Sequence, residues 1–168
     1  GDKDAKNEFE LLMKISDYLN KGNLIIDLEL SDIERKNLKS FSLLTAKPMI
    51  FVANISDDDL INQSSQYYKP LSIYSRERNK TLMKLSGSIE MEIASISKEE
   101  QVEYLKEFGL NESGLNKMIR NAYKILNLET FFTAGPKEIR AWPIDKDSTA
   151  PTAAGVIHSD FERGFIKA

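Results

Sequence analysis

The chain has 168 residues, with 23 Lys+Arg against 26 Asp+Glu for a formal charge of −3 and 41% hydrophobic side chains, values that describe a globular polypeptide of one ordinary domain or two small ones. It has no cysteine and one histidine, His158, which excludes disulfides, thiolate catalysis, Cys-ligated zinc and two-His metal sites. The near balance of charge argues against indiscriminate polyanion binding, and no apolar run reaches the ~20 residues of a membrane helix, so a cytoplasmic, non-membrane protein is expected.

Residues 8–21 read as an amphipathic helix. Leu11, Leu12, Ile15, Tyr18 and Leu19 share one arc of a 3.6-residue period, and Gly22 stands where a left-handed cap would end it. No partner for this stripe is evident nearby in the chain. Ser31 and Glu34 form a capping box opening a short helix to about Phe41, and Lys47-Pro48 interrupts the helical pattern. Met49 to Ala53 is a continuous apolar run, suited to a central parallel strand buried on both faces. Thr81 to Leu85 is a second strand, and the residues between them leave room for a helical crossover. Ser97 and Glu100 form another capping box, with Gly109 ending that helix. Leu115, Met118, Ile119, Ala122, Tyr123 and Leu126 mark a further amphipathic helix. After Leu128 the texture becomes aromatic and β-rich, with Gly135-Pro136 and Pro143 as interruptions, a turn at Asp145–Ser148, a small-residue stretch from Thr149 to Gly155, and the beginning of a strand at Phe165. A domain boundary is expected near Leu128–Glu129.

Charge does not single out any segment. Residues 1–46 carry 7 basic and 9 acidic side chains, 47–128 carry 11 of each, and 129–168 carry 5 and 6, so there is neither a basic arm nor an acidic tail. A phosphate-binding loop of the form G-x-x-x-x-G-K-[ST] is absent: Gly109 and Gly114 have the spacing, but Leu115-Asn116 follow and bring neither the lysine nor the hydroxyl. No Asp-x-x-Gly occurs either, so the parts that hold phosphate and magnesium in GTPase chemistry are missing.

What remains is the pair of strand ends. Ligands of open α/β sheets bind at the carboxyl ends of strands. The first strand delivers Asn54-Ile55-Ser56-Asp57 and the second Ser86-Gly87-Ser88. An asparagine amide offers donors and an acceptor to a base edge, and an aspartate accepts from ring or amino N–H groups. Asn, Asp and Ser also end strands as turn formers, so these residues alone leave both readings open. Asp57-Asp58-Asp59 read as a helix N-terminus favoured by the macrodipole rather than as a metal site. His158 beside Asp160 lacks a nucleophile and suits a structural or RNA-facing role. Arg76, Arg78, Lys80 and Lys84 with Tyr67, Tyr68 and Tyr74 make a small basic-aromatic patch, which also reads as a solvated helix face.

Longer motifs run through the whole chain. Thr45-Ala-Lys-Pro48 with Phe51-Val-Ala-Asn54, Gly114-Leu-Asn-Lys117, Phe131-Phe-Thr-Ala-Gly-Pro-Lys-Glu-Ile-Arg-Ala-Trp142, Thr149-Ala-Pro151, Ala153-Ala-Gly-Val-Ile-His158 and Asp160-Phe-Glu-Arg-Gly-Phe-Ile166 closely resemble the YchF branch of the Obg-like ATPases. The resemblance implies an α/β fold: the C-terminal part of an Obg-type P-loop NTPase domain with the end of a helical coiled-coil insertion, followed by the first half of a β-grasp-like TGS domain. Residues 1–46 would be the end of the insertion and its return helix, 47–128 the C-terminal part of the nucleotide domain, and 129–168 the N-terminal half of TGS. The Walker A and magnesium motifs would lie upstream.

The same resemblance makes Asn54, Ile55 and Asp57 the base-recognition motif and Ser86, Gly87 and Ser88 the second base-side loop. The GTPase form is Asn-Lys-x-Asp, and the YchF form Asn-x-x-Glu; Ile55 replaces the lysine, and Asp57 stands where YchF members carry glutamate. Pro143 stands where a threonine is common in TGS. The family implies ATP or GTP with Mg as cofactors of the complete protein, and ribosome or RNA as partner. Neither catalytic nor metal-binding residues are expected in this chain, which alone should be inactive, with no cofactor firmly its own. The alternative is a non-catalytic ribosome- or RNA-binding module acting through the helical arm and the TGS segment. An incomplete sheet would also leave open edges that invite self-association.

Overall fold

A computed structural model describes residues 3–62 and 65–167, which fall into two compact units divided between Pro48 and Met49. In the first unit, helix α1 (Lys3–Asn20) starts earlier than the periodicity predicts and ends at Gly22, whose φ of +76° is the left-handed cap that glycine adopts without a Cβ penalty. The capping box forms as expected: Ser31 Oγ accepts from the Glu34 amide, and Glu34 accepts from the Ser31 amide, opening α2 (Asp32–Ser40). The stripe of α1 does find its partner within the chain. Leu11 and Ile15 pack on Ile25, in a short 3-10 turn at Ile25–Asp27, and Tyr18, Leu28, Leu30, Leu38, Phe41, Leu43 and Ala46 close around them. Leu12 and Leu19 remain exposed at the edge of that face.

The second unit opens with β1 (Ile50–Asn54), which pairs in parallel with β2 (Thr81–Leu85), Ile50 opposite Thr81 and Asn54 opposite Leu85. Two helices make the crossover, α3 (Asp57–Asn62) and α4 (Tyr68–Glu77). The expected burial of β1 on both faces does not hold: Ala53 is buried, but Val52 is 41% exposed. Among the described residues this sheet has two strands, and on the side of Val52, Ile50 is half-buried and Asn54 exposed.

Helix α5 (Gly87–Ser95) begins where Ser86-Gly87-Ser88 read as a loop. Its inward residues Ile89 and Ile93 join Leu60 of α3 in a second core, covered by Ile55, Tyr104, Leu105, Phe108 and Leu110. Helix α6 (Lys98–Glu107) carries the expected capping box at Ser97 and Glu100 and ends at Gly109, φ +65°. Helix α7 (Gly114–Ile125) follows, then an antiparallel hairpin of β3 (Leu128–Ala134) and β4 (Ile139–Asp145), Phe131 opposite Trp142. Pro143 does not interrupt β4; it sits opposite Thr130. The small-residue stretch is helix α8 (Ala150–Ile157), with proline in its first turn, a position where the missing N–H has no helical partner to lose. Helix α9 (Ser159–Arg163) follows, and residues 165–167 take no strand.

Candidate functional site

The parallel register puts the ends of β1 and β2 level, and the Ile55 amide donates to the Leu85 carbonyl at 3.0 Å. Both chains therefore turn out of the sheet at one height, and their next residues meet. Asn54, the last residue of β1, accepts through Oδ1 from the Gly87 amide at 3.0 Å. A Cβ on residue 87 would lie 3.4 Å from that oxygen, an ordinary van der Waals contact, so the approach is close without itself demanding glycine.

Asp57 is the first residue of α3, and its Oδ1 accepts from the Ser86 hydroxyl and from the Ser88 hydroxyl, the latter at 2.6 Å. The two serine oxygens are themselves 2.8 Å apart. Each hydroxyl has a single proton, and an ionised carboxylate is the stronger acceptor. The Ser86 bond first, and the Ser88 bond second, hold the Asp57 carboxyl below the usual carboxylate range, against a smaller opposing effect of burial. Asp57 is thus an acceptor-only anion at neutral pH. Ser86 is buried at 1% exposure, while Asn54 and Ser88 face solvent.

Packing below the cluster fixes these positions. Leu60 lies three residues after Asp57, Ile89 directly follows Ser88, and both are buried in the second core. Five of the six residues singled out from the sequence (Asn54, Asp57, Ser86, Gly87 and Ser88) are brought into one polar cluster. The sixth, Ile55, instead packs half-buried against the core beneath it.

The weaker candidates resolve differently. Asp57, Asp58 and Asp59 form the first turn of α3, with Ser56 Oγ accepting from the Asp59 amide at 3.1 Å. The basic-aromatic patch is internally stacked: the Arg78 guanidinium lies 4.0 Å from the Tyr74 ring centre and Lys84 Nζ lies 5.4 Å from that of Tyr68, distances at which cations and ring faces attract. His158 caps α9, its Nδ1 accepting from the Asp160 amide at 3.2 Å.

Glu90, one turn into α5, was not evident from the sequence. Its carboxylate accepts from the Gly114 amide at 2.6 Å and the Leu115 amide at 3.0 Å, capping α7 together with Ser113. A Cβ on residue 114 would sit 2.8 Å from Leu85 Cβ, so this glycine is required by the close approach. A partner 24 residues away follows no local spacing rule. The only cue was the glycine itself.

Over residues 128–168 the chain matches the family model YchF-GTPase_C, described as a protein of unknown function (DUF933). It is 42% identical over 168 residues to the ribosome-binding ATPase YchF of Escherichia coli O157:H7, covering 100% of this chain and 46% of that protein. It is 45% identical over 170 residues to the ribosome-binding ATPase YchF of Mycoplasma genitalium, covering 99% and 46%. The solved structure of the Schizosaccharomyces pombe YchF GTPase matches 98% of this chain and 44% of its own, at 35% identity and a TM-score of 0.82. The chain thus spans about half the length of the relatives it matches.

Proposed function

This chain belongs to the YchF family, and from that premise we propose that residues 47–128 carry the base-recognition side of a nucleotide site in a ribosome-associated ATPase or GTPase. The observation that supports this most is the convergence of Asn54, Asp57 and Ser86–Ser88 at the level ends of two parallel strands. Asn54 would address one edge of the base and Asp57 would accept from its N–H donors, with Gly87 and the two serines holding both in place. Ile55, seated on the core, would support the loop from below. Magnesium and the phosphates would be held by residues outside this sequence, since no phosphate loop occurs in it.

In this reading residues 1–46 are the end of a helical insertion, 47–128 part of an Obg-type nucleotide domain and 129–168 half of a TGS domain. Binding to the ribosome would place the protein in the cytoplasm. The chain alone should show no turnover and only weak nucleotide affinity, because charge stabilisation at the phosphates carries most of this chemistry. NMR titration of the chain with ATP and GTP to millimolar concentration should perturb the Gly87 amide and the Asn54 side-chain amide. No perturbation there would sink the base-recognition reading, and micromolar affinity by calorimetry would overturn the expectation of weak binding.

A second reading, an RNA- or ribosome-binding module, is favoured by the hairpin. The Arg140 guanidinium stacks 4.2 Å over the partly exposed Trp142 ring on one face of the hairpin, and Phe132, 72% exposed, lies on the other face; arginine and exposed rings each stack on unpaired bases. Ribosome co-sedimentation that is lost in Phe132→Ala and Arg140→Ala, without nucleotide dependence, would favour the module.

A further inference from the structure

Resting on the base-recognition reading above, we propose that Ser88, acting with Ser86, sets the base selectivity of the site by occupying both acceptor positions of Asp57 Oδ1, so that Asp57 reads one purine donor instead of two. A carboxylate oxygen has about two lone-pair positions. Both hydroxyls donate to Oδ1, at 2.6 Å from Ser88, and Oδ2 receives no donor among the described residues. A ligand therefore meets one open oxygen of this carboxylate.

The two purines differ in what they bring to it. Guanine presents two adjacent donors, N1–H and the exocyclic amine, whereas adenine presents one amine beside an acceptor nitrogen. A carboxylate with both oxygens open gains two charge-assisted bonds from guanine and one from adenine. With Oδ1 filled, it gains one from either, and the usual preference for guanine narrows. The Ser88 hydroxyl contacts only Asp57 and Ser86 among the described residues and is exposed. It is therefore the group whose removal opens Oδ1 with least disturbance to the core. Ser86, being buried, positions Asp57 as part of the fold. Both serines act through Asp57 and are positioning residues.

The test compares the wild-type chain with Ser88→Ala and Ser88→Thr, each titrated separately with ATP and with GTP and followed at the Gly87 and Asn54 amides by NMR. In the wild-type chain the two affinities should lie within about threefold of each other. In Ser88→Ala the ratio should move toward GTP by roughly tenfold, the worth of one added bond to a charged group. Ser88→Thr retains the hydroxyl and should keep the wild-type ratio. A merely structural role would weaken both nucleotides together and leave the ratio alone. A wild-type chain that already favours GTP by tenfold or more, or a ratio unmoved in Ser88→Ala, overturns the proposal while the base-recognition reading stands. Absence of any shift with either nucleotide overturns that reading, and this proposal falls with it.

Discussion

Helices α5 and α6 follow one another, and each begins behind a serine, but the two hydroxyls serve different ends. Ser97 accepts from the Glu100 amide, and the Glu100 carboxylate accepts in turn from the Ser97 amide at 2.9 Å, so α6 caps itself. Ser86 gives its proton to Asp57, and the first amide of α5 is held instead by Asn54 at the end of β1. The third helical position explains the divergence. In α6 it is Glu100, which can reach back to the cap. In α5 it is Ile89, buried at 1% exposure in the core. A helix start capped from another strand ties two strand ends together, and it leaves a serine hydroxyl for the site.

The largest effect that would sharpen this contrast is expected at that third position. Ile89→Ala should cost about 2–5 kcal/mol, as for other buried aliphatic truncations, whereas Glu100→Ala should remove only the return bond of the cap. Chemical denaturation of the two variants checks the difference, and equal losses would erase the distinction. Next, Ser97→Ala should cost about 1 kcal/mol and lower the melting temperature by about 2–4 °C. It should also speed hydrogen exchange at the Glu100 amide. Ser86→Ala should leave exchange at Gly87 unchanged, because Asn54 holds that amide; Asn54→Ala should be the change that accelerates it. Faster exchange at Gly87 in Ser86→Ala would break the comparison.

The pH dependence is smaller. Serine hydrogen bonds hold Asp57 and Glu100 below the usual carboxylate range. A carboxyl whose pKa falls on folding stabilises the native state at pH above its unfolded value, and that contribution is lost as the pH falls through the folded value. The window is therefore acidic, below the ordinary carboxylate pKa, and neutral pH should lie outside it. Side-chain carboxyl titration by NMR should show the Asp57 pKa rising in Ser86→Ala and that of Glu100 rising in Ser97→Ala, each without affecting the other. The smallest expected effect lies where the two helices touch. The Tyr104 hydroxyl of α6 donates to Glu92 of α5, and this bond, with burial adding, pushes the phenol up to about 12. Ultraviolet titration of Glu92→Gln should bring it back toward the ordinary tyrosine value near 10.

Features governed by local spacing were readable from the sequence. Both Ser-x-x-Glu boxes, the glycine caps at Gly22 and Gly109, and the strands at Ile50 and Thr81 follow rules of one to four residues. Long-range consequences were less visible. The partner of the Leu11–Ile15 stripe comes from Ile25 and the residues up to Ala46, apolar positions too irregular to announce a packed face. Helix α5 was missed because Ser86-Gly87-Ser88 carries turn chemistry, although Ile89 and Ile93 keep helical spacing. Helix α8 was hidden by its alanines, although Thr149 and Pro151 marked its first turn. At the site, Asn54, Asp57 and the serines could be gathered from the strand ends, but the sharing of one Asp57 oxygen by two hydroxyls depends on where α5 begins. The inward turn of Ile55 is set by Leu60 and Ile89, which sequence spacing does not reveal.

The bond from the Gly87 amide to Asn54 Oδ1 also fixes which way the asparagine faces. A side-chain amide that could rotate freely would show a ligand its oxygen or its nitrogen by turns. Here the oxygen is committed to the backbone, since turning the amide over would set two donors against each other. The NH2 group of an exposed residue is left as the outward face. The rotor is therefore immobilised during folding, before any ligand arrives, and the entropy of ordering it does not reduce the affinity of later binding.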